Sequence, residues 1–162
     1  MAGSSLQQQI ASMRQSLFDE GLLNEQFIEL EKLEDASDPN FVKNVINVFL
    51  TDSLKNVTGI EESLLHLKAD EPLDITELGK FLHRLKSGCL GIGAKKVPIE
   101  VEKMLQCYEA GDMEGMKTIL PTMKQEYNIL ENKLEAYFEL LPHVEPGQSI
   151  DPPSKGSTSS GE

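Results

Sequence analysis

The chain has 162 residues, 39% of them apolar, and a formal charge of −12. That length suits one domain with tails and a sizeable core, and the acidic balance repels nucleic acid and anionic membranes, so direct binding to either is not expected. No apolar run approaches the ~20 residues of a membrane helix, the N-terminus "MAGSSLQQQIASM" lacks the basic and apolar regions of a signal peptide, and Cys89 and Cys107, outside any CxxC pair, read as reduced thiols of an intracellular protein.

Nearly everything before residue 142 reads as helix. "SSLQQQIASMRQSLFDEG" spaces Leu6, Ile10, Met13, Leu17 and Phe18 at helical intervals and stops at Gly21. "NEQFIELEKLED" follows with Asn24 as N-cap. Asp38-Pro39 is expected to open a third helix, whose apolar positions from Phe41 through Leu54 and Leu65 carry it to about Lys68. Asp74 and Glu77 form a capping box for a fourth helix over 75–91. A fifth is predicted from about Lys95 to Ala110, with Pro98 in its first turn and Gly111 ending it. A sixth starts near Asp112 and reaches about Leu141, with Pro121 expected to kink or interrupt it. The pattern predicts an all-α fold: an antiparallel up-down four-helix bundle from helices three to six, with two additional N-terminal helices. Residues 1–141 would form this domain. Residues 142–162, rich in Pro, Gly and Ser, read as a disordered tail.

The fourth helix carries "GKFLHRLKSG". Leu78, Leu82, Leu85 and Cys89 fall on one face as its buried stripe. His83 lies about 100° round from Leu82, on a face with Gly79, Lys86, Ser87 and Leu90. The neighbours at i±4 are the small Gly79 and Ser87. A glycine inside a helix costs ~1 kcal/mol against alanine, so the pair reads as leaving the imidazole open for something bulky. Lys80, Arg84, Lys86, Lys95 and Lys96 cluster here, and no Asp or Glu occurs from Lys80 to Ile99. Such a local positive field suits a dianionic group or an acidic partner surface, and a neutral imidazole is a competent nucleophile near neutral pH. A single helix histidine is more often just a partly exposed polar residue; the small neighbours and the charge segregation favour function. His66 reads as structural and His143 as an inert tail residue.

"FLHRLKSGCLGIGAKKV" resembles the His-x-x-Lys-Gly signature of histidine-containing phosphotransfer proteins, and most closely the plant branch. His83, Leu85, Lys86, Ile92, Gly93, Ala94 and Val97 carry the match. "DPNFVKNVINVFLTDS", "YEAGDMEGM" and "NKLEAYFEL" extend the likeness over about residues 5–141. The resemblance implies a phosphorelay intermediate rather than an enzyme. His83 would take a phosphoryl group from the receiver-domain aspartate of a hybrid sensor histidine kinase and pass it to response-regulator receivers. Lys86 would neutralise phosphoryl charge, and Arg84 could add to that. Gly79, Ser87 and Leu90 would belong to the receiver-docking face. No metal or other cofactor is expected on the chain itself, with magnesium on the receiver partner. The plant likeness implies cytokinin signalling in cytoplasm and nucleus; the chain is expected to be a monomer. Two departures stand out: Ser87 replaces the family's glycine after the lysine, and Arg84 replaces its usual glutamine after the histidine.

Two rival readings remain. A non-transferring adaptor with the same bundle would bind receivers without cycling phosphate. A di-iron carboxylate bundle enzyme would need paired Glu-x-x-His motifs facing inward, and the sequence has none.

Overall fold

The computed structural model describes residues 2–66 and 74–141. Six α-helices follow one another: α1 (Ala2–Asp19), α2 (Glu25–Lys32), α3 (Phe41–Glu61), α4 (Ile75–Ile92), α5 (Lys96–Ala110) and α6 (Met113–Leu140). A π-helical turn, Glu62–His66, continues α3. No strand is present among the described residues, and no described helix is long and apolar enough to cross a membrane. α3 to α6 pack as an antiparallel bundle, α1 lies on α6, and α2 lies on α4. The predicted all-α bundle with two additional N-terminal helices is the observed architecture.

The helix ends follow local chemistry. The Asn24 side chain accepts from the Gln26 amide, Asp74 from the Glu77 amide and Asp112 from the Gly115 amide, each satisfying an amide that has no partner inside its helix. Gly93 and Gly111 end α4 and α5 in the left-handed conformation.

Three expectations need correction. α3 begins at Phe41, not at Asp38-Pro39. Asp35 folds the preceding segment into a turn by accepting from the Ser37 and Asp38 amides, and Glu34 reaches across to accept from the Val42 amide at 3.1 Å. The cap of α3 is therefore supplied from beyond its own sequence. Leu54 and Leu65, assigned to the buried stripe, are about half exposed (51% and 50%). Pro121 does not interrupt α6, which is continuous over Met113–Leu140. Pro121 is exposed, so the carbonyl it deprives of a partner can be hydrated on that side. The continuation of the third helix through Leu67 and Lys68, and the tail 142–162 with His143, lie outside the described residues, as does the side chain of His66.

The core joins all six helices and centres on α4, where Leu78, Leu82, Leu85 and Cys89 are fully buried. Burial pushes the Cys89 thiol up to about 12, so it stays protonated and acts as a small apolar group. Between α3 and α6 the Ser53 and Tyr127 hydroxyls share a buried hydrogen bond of 2.9 Å, which satisfies both.

The C-terminal end of α4 is a tight joint. Gly93 has φ +85°, its carbonyl accepts from the Asn24 amide at 2.8 Å, and the Lys95 amide donates to the Leu22 carbonyl at 3.1 Å. A Cβ on Gly93 would lie 2.6 Å from the Phe27 backbone nitrogen. The glycine thus serves both as a left-handed cap and as the seat for the start of α2. Gly93→Ala is expected to destabilise the protein by about 1–3 kcal/mol, read as a lower urea midpoint. An unchanged midpoint would contradict this account of the joint.

Candidate functional site

α4 presents His83 to solvent directly behind the buried Leu82 and Leu85. Two fully buried neighbours leave the helix little freedom to roll, so the imidazole has a fixed outward station. Arg84 and Ser87 are exposed, Leu90 is 52% exposed, and Lys86 is half-buried. His83, Arg84, Lys86, Ser87 and Leu90 are thus all accessible to solvent.

Gly79 is not among them. It is buried, and a Cβ there would lie 2.5 Å from the Tyr108 hydroxyl oxygen. The Tyr108 ring of α5 fills the space over it, and its hydroxyl donates to the Ile75 carbonyl at 2.9 Å. The missing side chain makes room for a helix–helix contact rather than for a visitor to the imidazole. Tyr108 is a residue the sequence reading missed.

The basic field is also partly compensated. Lys80 pairs with Glu77 at 3.9 Å, and Lys86 Nζ donates to Glu102 Oε1 at 2.7 Å. Arg84, Lys95 and Lys96 are exposed and have no ion-pair partner among the described residues. Glu102 was missed because the acid-free run ends at Ile99 and the acid lies just past it. A signal existed: Lys86 and Glu102 lie equally far in sequence from Ala94, and a tight antiparallel hairpin sets such residues opposite each other. The hydrogen bond from Lys86, then its charge, holds the Glu102 carboxyl below the usual range, with smaller contributions from Gln106 and His83.

An exposed imidazole on a rigid helix, flanked by cations and by the exposed apolar Leu90, can attack an electrophile delivered by a docked partner. Similarity to known proteins agrees with this geometry. The chain is 38% identical over 146 residues to pseudo histidine-containing phosphotransfer protein 2 of Oryza sativa subsp. japonica, covering 90% of this chain and 94% of that one. It is 32% identical over 137 residues to histidine-containing phosphotransfer protein 2 of Arabidopsis thaliana, covering 85% and 86%. The chain belongs to the histidine-containing phosphotransfer family. Among solved structures, the maize phosphotransfer protein ZmHP2 superimposes with a TM-score of 0.75 at 27% identity, over 83% of this chain and 96% of that one. The Medicago truncatula protein MtHPt2 gives 0.72 at 28% identity, over 83% and 89%. No family model matches the chain.

Within this phosphotransfer fold the contact between Gly79 and Tyr108 makes a clear expectation. Alanine normally gains ~1 kcal/mol over glycine in a helix interior. Gly79→Ala is expected to show none of that gain, because Tyr108 must move and its bond to Ile75 is lost. In a Tyr108→Ala background the gain should reappear. Chemical denaturation of the double-mutant cycle checks this; equal effects in both backgrounds would show that Tyr108 does not occupy the space.

Proposed function

We propose that this phosphotransfer protein is a phosphorelay carrier with His83 as its acceptor. One imidazole nitrogen attacks the phosphorus of a receiver's aspartyl phosphate, the P–O bond breaks, and its electron pair returns to the aspartate carboxylate. The other imidazole nitrogen keeps its proton. A second receiver then takes the phosphoryl group in the reverse sense. The transfer is mainly positioning and electrostatics. This chain contributes the nucleophile, nearby cations and a docking face that includes Ser87 and Leu90; the receiver contributes magnesium and the remaining catalytic groups. The observation that carries the reading is the exposed His83 on a helix whose Leu78, Leu82, Leu85 and Cys89 are fully buried.

The receivers are those of hybrid histidine kinases and response regulators, and the chain acts as a monomeric mediator, not as an enzyme. Cytokinin signalling in cytoplasm and nucleus is the setting we infer, on the strength of the plant-type likeness of "FLHRLKSGCLGIGAKKV". A second reading, a receiver-binding adaptor that does not transfer, draws support from the rice relative's name as a pseudo phosphotransfer protein and from the engagement of Lys86 by Glu102.

Incubation with a phosphorylated receiver separates the two. The carrier reading expects an alkali-stable, acid-labile phosphoryl group on the protein, lost in His83→Gln. The variant should keep receiver binding and a nearly unchanged thermal midpoint, since an exposed substitution shifts stability by no more than ~0.5 kcal/mol. The adaptor reading expects receiver binding with no phosphoryl group on either form. Transfer persisting in His83→Gln would refute the assignment of the acceptor.

A further inference from the structure

The lysine three residues after His83 is already engaged. Lys86 and Glu102 meet at 2.7 Å across the α4–α5 hairpin, with their side chains 35% and 47% exposed. Gln106, one turn further along α5, adds a smaller contribution to holding the Glu102 carboxyl below its usual range. His83 contributes in the same direction, after Lys86.

A phosphoryl group on His83 would place nearly two negative charges beside this pair. It must either draw the ammonium away from Glu102 or remain next to an anionic carboxylate. A half-exposed ion pair is weak enough to exchange partners. It still opposes the phosphorylated state, because both anions cannot take the same ammonium fully.

We propose that Glu102 is a positioning residue that competes with the His83 phosphoryl group for Lys86 and so biases the carrier toward giving phosphate up. This rests on the reading of His83 as acceptor. The bond changes are those of the transfer itself: a P–N bond forms at His83 as the aspartyl P–O bond breaks, and Lys86 stays protonated throughout. Glu102 changes only the free energy of the phosphorylated carrier relative to the phosphorylated receiver. Its removal therefore acts on an equilibrium, which a purely structural role would leave in place.

The experiment measures the partition of radiolabelled phosphate between a receiver domain and this protein at equilibrium and low ionic strength. Wild type, Glu102→Gln, Lys86→Ala and the double variant are compared, with melting midpoints recorded alongside. Glu102→Gln is expected to shift the partition toward phosphohistidine by roughly two- to five-fold and to slow spontaneous loss of the phosphoryl group, with its midpoint nearly unchanged. The shift should shrink in the Lys86→Ala background and at high salt. An unchanged or opposite shift, while wild type accepts phosphate normally, would overturn the role of Glu102 and leave the carrier reading standing. A shift equally large without Lys86 would overturn the competition in favour of direct repulsion. Failure of wild type to accept phosphate at all would refute the carrier reading and this inference with it.

Discussion

The burial of one face of α4 is the constraint on which the rest depends. Leu78, Leu82, Leu85 and Cys89 are each fully buried, and α2, α3 and α5 all pack against this helix. Fully burying a leucine is worth roughly 1.5–3 kcal/mol, so rolling α4 to hide His83 would expose several such side chains at once. The outward station of the imidazole is a consequence of packing on the far side of the helix. No contact to His83 itself is needed to hold it there.

The two ends of α4 are fixed by different means. At its N-terminus Asp74 caps the helix, and Tyr108 crosses from α5 to the Ile75 carbonyl. At its C-terminus Gly93 turns the chain and receives the start of α2 through Asn24. The residues Ile92, Gly93 and Ala94 are therefore a structural joint that sets the α4–α5 hairpin. The hairpin in turn sets Lys86 opposite Glu102. Charge around the candidate acceptor is decided by this turn, several residues away from the histidine.

Local signals were legible in the sequence, and non-local ones were not. Asn24, Asp74 and Gly111 mark helix ends through contacts with their own neighbours, so their positions follow from the letters alone. The start of α3 did not, because its amide at Val42 is satisfied by Glu34 from the turn that follows the preceding helix. Gly79 was misread for the same reason. A glycine beside a histidine is equally consistent with an open face and with a close helix contact, and the side chain that decides, Tyr108, lies on another helix. The station of His83 could be read from periodicity, since the positions of Leu82 and Leu85 fix which way the helix faces. The pairing of Lys86 could not be read from a count of acids along the run, because neighbours in a hairpin are set by distance from the turn.

Native-state hydrogen exchange at the backbone amides of Leu82 through Lys86 tests the central claim most directly. If the buried stripe holds this segment, these amides exchange only through global unfolding, with protection equal to the full stability of the protein and with the same denaturant dependence. Exchange through a local opening of α4, at a free energy well below the global value and insensitive to denaturant, would show that His83 is carried on a mobile segment and would contradict the account.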